Sequence, residues 1–389
     1  MKENVRLGRI AGVAVGFSWS LLLFAGFLAV ALGGGRFKHD APGYATSAYV
    51  VAGIVTALAF LIGELAHEMS HALVARHEGM KVDGIVLWLM GGYTKISEPA
   101  MTPGQEFRVA AAGPAVSIIV GGACALGGVV GRMLGLSPLL VSVLDWLGLI
   151  NVLLGVFNLL PGSPLDGGRI VHAAVWWRTG DKYRATRMAG RAGMALGGGM
   201  VALGLLMTVV GLWLDGVWLA MVGGFLLLAS RAESGASEVL EALDGLTAAQ
   251  VMAQPGVGPG WFTVDAFLRD YAGSGTGALR PPVFLLEQWG GGLAGVAPTA
   301  AMEAIPVAQR YHYRASQFAA PLAQLPVFAP EVAAIEAVTK MSEARADWGL
   351  VVSAGQIVGV VSLEGVTAVA QRVKAAPEVD LARWSLTRG

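Results

Sequence analysis

The chain has 389 residues, of which 55% are hydrophobic and only 14% charged, and its mean hydropathy is +0.61. Soluble domains carry about 25% charged residues, so this composition excludes an ordinary soluble protein. The formal net charge is zero, which gives no bulk attraction to nucleic acid. The one cysteine, Cys124, excludes an internal disulfide and a cysteine-rich zinc site.

Apolar stretches suited to crossing a bilayer follow one another through the first part of the chain. The hydrocarbon core is about 30 Å thick, which about 20 helical residues can span. The predicted spans are residues 10–34, 44–75, 106–131, 136–160, 194–214 and 217–230. They predict a transmembrane core over residues 1–235, followed by a separate soluble domain over residues 245–373.

The segment between spans two and three has a different pattern. Residues 81–90 alternate partly between apolar and polar side chains and then meet Gly91 and Gly92. This pattern predicts a short β hairpin or a membrane-associated loop. The segment is either a plain connector or an edge strand that can pair with an extended substrate.

The pattern His67-Glu68-Met69-Ser70-His71 lies near the end of the second span. On a helix, the i, i+4 spacing places both imidazoles on one face, where they can hold one metal ion. A carboxylate beside the first histidine can take a proton from water that the metal activates. Ionisable residues are costly inside a membrane, so their presence here indicates a functional site.

Two histidines do not complete a catalytic zinc site, which usually has three protein ligands and one open position. Asp166 follows span four in a stretch with two prolines and three glycines that cannot continue a regular helix. We therefore expect Asp166 on unwound backbone, bending toward span two as the third ligand. His172 is the rival for that place.

Peptide hydrolysis also needs a donor for the oxyanion that develops on the attacked carbonyl. Asn158 is one candidate, and the backbone at Gly91 and Gly92 is the other; Asn158 serves equally well as a polar contact between helices. Glu64, one turn before the histidines, shares their face and is either a group that orients a ligand or a cavity-facing acid.

Basic residues predict the orientation of the bundle. They gather before span one, after span two and after span four, which fall on the same side: Arg6, Arg9, Arg76, Lys81, Arg178, Arg184, Arg187, Arg191. By the positive-inside rule, both termini are cytoplasmic. The histidine pair and Asp166 then lie toward the cytoplasmic side.

The soluble domain is predicted to repeat itself. One half opens at residues 246–252 and the other at about residue 325, and each predicts the order strand, helix, strand, strand, helix.

Taken together, these motifs resemble those of the site-2 protease family of intramembrane zinc metalloproteases. The resemblance rests on His67-Glu68-x-x-His71, on Ala112-Gly113-Pro114 in the next span, and on Asn158-x-x-Pro161-x-x-Pro164-Leu165-Asp166-Gly167. It implies one zinc ion bound by His67, His71 and Asp166, with Glu68 as the catalytic acid and base. The third-span motif often continues to an asparagine, where this chain has Ser117, so no polar role is carried over to that position.

The C-terminal repeat resembles a tandem cystathionine-β-synthase (CBS) pair. Such pairs often bind adenine nucleotides and regulate the attached protein, and they suggest a homodimer. Ser362 matches the hydroxyl of the usual strand-end motif, but Gly365 stands where an aspartate usually meets the ribose. The resemblance therefore implies the CBS fold and leaves nucleotide binding open.

The predicted fold is a polytopic α-helical membrane protein with about six transmembrane helices, a small β hairpin or sheet near the active site, and a C-terminal α/β CBS pair. The predicted function is that of an intramembrane zinc endopeptidase of the cell membrane, regulated by the CBS pair. Its family cleaves membrane-bound regulators such as anti-sigma or pro-sigma factors. The alternatives are a CBS-regulated transporter or channel, and an inactive homologue that binds clients without cutting them.

Overall fold

The computed structural model describes residues 5–89, 91–96, 100–272 and 281–375. The chain divides into two compact units, Met1–Gly235 and Ala236–Gly389.

A four-stranded sheet opens the first unit. β1 (Val5–Ile10) and β2 (Val13–Phe17) are antiparallel, β2 runs parallel to β3 (Val82–Trp88), and β3 turns back as β4 (Gly91–Ile96). The strand order β1-β2-β3-β4 leaves β4 at an edge of the sheet. The small sheet predicted near the active site is present, and it recruits the N-terminal residues as well.

The predicted start of the first span, residue 10, is wrong. The helix begins only at Trp19, because the residues before it pair as strands. Val13 and Val15, two residues apart on β2, both face a buried cluster that includes Met69 and Ile85. Alternating burial of this kind favours a strand, and the apolar character of the stretch concealed it.

The remaining helices of the first unit follow in order. They are α1 (Trp19–Ala31), α2 (Phe37–Asp40, reached through a π-helical turn at Leu32–Arg36), α3 (Thr46–His77), α4 (Pro103–Met133), α5 (Pro138–Asn158), α6 (Asp166–Thr179), α7 (Lys182–Val209) and α8 (Trp213–Leu243). Among the described residues, six helical stretches are long and apolar enough to cross a membrane: Trp19–Asp40, α3, α4, α5, α7 and α8. The chain is a multi-pass membrane protein.

Local signals explain where several helices begin and end. Thr102 and Gln105 form a reciprocal capping box at the start of α4, and Pro103 follows the cap. Gly180 ends α6 in the left-handed conformation, and Asp181 caps α7 at once. Because of this cap, α7 starts well before the predicted span at residue 194, so the basic stretch that precedes the span is helical too.

The last two membrane helices pack closely through glycines. A Cβ atom on Gly197 of α7 would lie 2.7 Å from the carbonyl oxygen of Gly223 on α8. Small residues allow membrane helices to approach in this way, where no hydrophobic force drives their association.

The second unit contains the predicted repeat. The first half has α9 (Ala248–Val251), β5 (Gly256–Pro259), α10 (Val264–Asp270), β6 (Val283–Glu287), β7 (Leu293–Pro298) and α11 (Thr299–Glu303). The second half has β8 (Val327–Phe328), α12 (Ala334–Ala344), β9 (Trp348–Ser353), β10 (Gln356–Ser362) and α13 (Leu363–Ala375). In each half the first strand is parallel to the second, and the second is antiparallel to the third.

One buried cluster joins the two halves. Val283, Leu285 and Val296 from the first sheet pack with Leu350 and Val360 from the second. The doubled strand–helix–strand–strand–helix unit with a shared core is that of a CBS pair.

Candidate metal centre

His67 and His71 lie on α3 with only 3% and 7% of their surface exposed. Their Nε2 atoms are 3.2 Å apart, and the Oδ2 atom of Asp166 is 3.2 Å from each. A tetrahedral zinc ion with bonds of about 2.0–2.1 Å separates its ligand atoms by about 3.3 Å. Two imidazoles and one carboxylate at this spacing therefore fit a single zinc ion and leave the fourth position open.

Asp166 reaches the histidines from 99 residues away in the chain. Turns and bends at residues 159–165 connect α5 to α6, and α6 begins at Asp166 itself. Asp166 is thus the first residue of a helix and does not lie on unwound backbone as predicted. A first-turn position directs its carboxylate back toward the preceding loop, where α3 lies.

Neighbouring groups hold both imidazoles by their second nitrogen. Nδ1 of His71 lies 2.7 Å from the carbonyl oxygen of Val109, and Nδ1 of His67 lies 2.9 Å from Oγ of Ser117. A hydrogen on each Nδ1 leaves Nε2 free to bind a metal. Ser117 is only 1% exposed, and its hydroxyl contacts a proposed zinc ligand. The family resemblance had predicted no polar role at this position.

The backbone of α4 passes directly against the two imidazoles. A Cβ atom on Gly113 would overlap Nε2 of His71 and that of His67. The glycine of the Ala112-Gly113-Pro114 motif therefore leaves room for the imidazoles, and for an ion between them.

Glu68 is buried beside the edge strand β4. Its Oε2 atom lies 2.8 Å from Oγ1 of Thr94, and a Cβ atom on Gly92 would overlap its Cγ. Glu64, also buried, faces the same strand, because a Cβ atom on Gly91 would come 3.2 Å from its Oε1. The two glycines thus pack against the two glutamates, a relation that the sequence alone did not indicate.

His172, the rival third ligand, lies elsewhere. Its Nδ1 is 2.7 Å from Oε2 of Glu106, and its Nε2 is 3.1 Å from both Oγ1 of Thr186 and the carbonyl oxygen of Lys182. Burial by itself lowers the pKa of His172, but the hydrogen bond and charge of Glu106 outweigh it, so the pKa lies above its usual value. Both ring nitrogens are engaged by protein groups, and His172 is not in the cluster.

Asn158, the oxyanion candidate, donates its side-chain amide to the carbonyl oxygen of Leu154 at 3.0 Å. Within the described part of the chain, no hydrogen bond joins it to Glu68 or to Asp166. This hydrogen bond stays within α5. It is therefore neither a contact between helices nor a contact for an oxyanion beside Glu68, the two roles predicted for Asn158.

A polar cavity of about 300 Å³ adjoins the centre. Its walls include Val109 and Gly168, which flank His71 and Asp166, and Ile96 at the end of β4. Glu106, Arg169 and His172 make it polar. It offers room for water beside the buried centre.

A metal centre of this kind among membrane-length helices defines a membrane metallopeptidase. The profile of Peptidase family M50 matches residues 55–134 and 126–200. Rip3 of Mycobacterium tuberculosis, named as a zinc metalloprotease, is 36% identical over 374 residues, which cover 93% of this chain and 91% of Rip3. The zinc metalloprotease sll0528 of Synechocystis is 33% identical over 275 residues, 70% of each chain. The chain belongs to peptidase family M50, the site-2 proteases, and is a zinc metalloprotease.

Solved structures resemble each unit in turn. The site-2 protease of Methanocaldococcus jannaschii is 26% identical with a TM-score of 0.39, covering 59% of this chain and 94% of that one. The CBS domain of a bacterial CNNM/CorC family Mg²⁺ transporter is 17% identical with a TM-score of 0.27, covering 37% and 92%. Structural similarities with TM-scores this low do not support the family membership, which rests on the sequence relatives. Membership of a peptidase family leaves the transporter alternative without support.

Proposed function

We propose that the chain is an intramembrane endopeptidase in which His67, His71 and Asp166 bind zinc and Glu68 is the general base. The observation that carries this proposal is the convergence of three ligand atoms, each 3.2 Å from its neighbours, on one face of α3. Glu68 adjoins the first histidine on that helix and is itself 7% exposed.

Zinc, when bound, supplies a Lewis acid that polarises the scissile carbonyl and lowers the pKa of water. Glu68 takes the proton from the attacking water and later delivers it to the leaving amine. Ser117 and the carbonyl of Val109 keep the two imidazoles in place. The burial of the centre limits competing bulk water, which strengthens every charge interaction inside it.

We propose that the substrate binds in extended form along β4. This strand is at an edge of the sheet and passes Glu68, so an extended chain that adds to this edge would lie close to the reacting atoms. Because a peptide bond in a helix is shielded, a transmembrane substrate must unwind locally first. The backbone at Gly91 and Gly92 and the amide of Asn158 remain the candidate contacts for the substrate or its oxyanion.

The substrates we propose are membrane-bound regulators, such as an anti-sigma or pro-sigma factor, cleaved in the cell membrane. The basic segments before span one, after span two and after span four support cytoplasmic N- and C-termini, and with them a centre near the cytoplasmic side. We propose the CBS pair as the regulatory module, with an adenine nucleotide as its candidate ligand and with pairing of two CBS modules as its candidate assembly. Ser362 caps α13 by accepting the N–H of Gly365 at 2.9 Å, so its hydroxyl already has a local partner.

Incubation with membrane-spanning peptides tests the proposal directly. The purified full-length chain, reconstituted in liposomes with zinc, is mixed with a library of synthetic membrane-spanning peptides, and the products are identified by mass spectrometry. Internal cleavage that requires zinc supports the endopeptidase. A zinc-loaded protein that binds peptides and cuts none of them would support the inactive homologue.

Replacing Asp166 by alanine is expected to remove zinc from the protein. Two histidines alone leave the ion with too few protein ligands. Metal analysis of the purified proteins should give one zinc per chain for the wild type and for His172→Ala, and well under one for Asp166→Ala. Full zinc in Asp166→Ala together with loss in His172→Ala would reverse the choice of ligand.

Ser117→Ala is expected to weaken zinc binding by about 10- to 100-fold, as removal of the outer partner of a ligand commonly does. The alanine leaves Nδ1 of His67 without its buried partner. Competition with a fluorescent chelator measures the affinity, and Ser142→Ala on α5 is the control, because Ser142 lies near Asp40 and not near the centre. Equal affinities for Ser117→Ala and the wild type would contradict the role.

A further inference from the structure

The hydroxyl of Thr94 contacts the proposed general base. Its Oγ1 is 2.8 Å from Oε2 of Glu68 and 3.1 Å from the carbonyl oxygen of the same residue. A hydroxyl has one proton to donate. The carboxylate is both the nearer and the charged acceptor, so it receives the stronger bond.

The sheet fixes the position of this hydroxyl. Residues 92 and 94 lie on the same face of β4, because side chains alternate along a strand. Gly92 pairs with Leu87 and Thr94 with Ile85 on β3, and both partners are buried in the core under the sheet. A shift of one residue would turn Thr94 away from Glu68, so the buried partners that set the register also set the contact.

We propose that Thr94 is a positioning residue that holds the carboxylate of Glu68 in place for proton transfer. This inference rests on the proposed role of Glu68. A glutamate side chain on a helix has several open rotamers, and a catalytic group is effective only when it is held close to its productive geometry. Gly92 leaves room for the side chain of Glu68, and the hydroxyl of Thr94 orients its carboxylate.

A purely structural role is the competing explanation. In that case Thr94 would bond only the carbonyl oxygen of residue 68 and so fasten β4 to α3. That bond does not depend on the side chain at position 68, whereas the proposed contact does.

A double-mutant cycle on metal-free protein separates the two explanations without any activity. The thermal midpoint is measured for the wild type, Thr94→Val, Glu68→Ala and the double variant. We expect Thr94→Val to lower the midpoint by about 2–4 °C beside Glu68 and by much less beside alanine. Equal shifts in both backgrounds would overturn the proposal in favour of the structural role.

Kinetics test the catalytic consequence, with a membrane-spanning peptide that the wild type cleaves. Thr94→Val should lower kcat by about 10- to 100-fold with KM and zinc content unchanged, and Thr94→Ser, which keeps the hydroxyl, should restore most of it. Thr56→Val is the matched control, because Thr56 is buried on α3 and donates its hydroxyl to the carbonyl oxygen of Ala52. Wild-type kcat in Thr94→Val, or a serine variant as slow as the valine variant, would overturn the proposal. If the wild type cleaves no peptide, the proposed function fails, while the thermal cycle still decides the contact.

Discussion

Glu68→Gln is expected to abolish peptide cleavage while the protein keeps one zinc per chain. Glutamine has nearly the shape of glutamate and can still contact Thr94, so the packing beside β4 should survive. It cannot accept the proton of the attacking water, however. Loss of general acid–base catalysis costs about 10²–10⁴-fold, and here one group performs both transfers.

The measurement combines metal analysis with the peptide cleavage assay on the same preparations. Glu78→Gln is a suitable control, because Glu78 follows α3 and pairs with Arg108, and this ion pair includes neither a proposed zinc ligand nor Glu68. Its loss should therefore leave the catalytic rate unchanged. Cleavage by Glu68→Gln at the wild-type rate would exclude Glu68 as the general base.

Gly113→Ala is expected to destroy the metal centre with a single methyl group. The new Cβ would overlap both Nε2 atoms, so the imidazoles must turn away from Asp166 or α4 must move from α3. Overpacking of this kind typically costs about 1–3 kcal/mol, and in this case the displaced atoms are the ligands themselves. We expect zinc content well below one per chain and no detectable cleavage.

Gly122→Ala on the same helix provides the control. Among the described residues, a Cβ atom there meets no atom of a neighbouring element within 4 Å, so the change should alter neither zinc content nor activity. The thermal midpoint of each variant, measured without metal, separates a local loss of the site from general unfolding. A Gly113→Ala protein with full zinc and normal cleavage would show that the imidazoles do not need this space.

The histidine pair was predictable because its geometry is local. His67 and His71 occupy i, i+4 positions, so any helix brings their side chains together. Ionisable side chains are costly to bury in apolar surroundings, and this cost indicated that the two histidines are functional. Asp166 was predicted from ligand chemistry and from the helix-breaking residues before it, and its carboxylate does lie beside both imidazoles. The sequence did not show that Asp166 begins a helix. The first residue of a helix and the last residue of a loop differ only in backbone angles, which the sequence does not reveal.

The contacts around the centre depend on tertiary structure and could not be predicted. Ser117 and Thr94 lie on different elements from the residues they touch, and no spacing rule connects them to α3. The N-terminal strands were missed for another reason: an apolar run of that composition fits a buried strand as well as a membrane helix. The parallel pairing of β2 with β3 makes these residues a strand, and all of α1, α2 and α3 lie between the two strands in the sequence.

The distance along the chain between the ligands has a thermodynamic consequence. Zinc bound by the proposed ligands His67, His71 and Asp166 would cross-link segments 99 residues apart, and only the folded chain assembles these ligands. Binding then adds to the free energy of unfolding, by about 2.7 kcal/mol when free zinc is at 100 times its Kd. We therefore expect zinc supply to determine how long each molecule survives quality control, and hence how many copies of the protease the membrane contains.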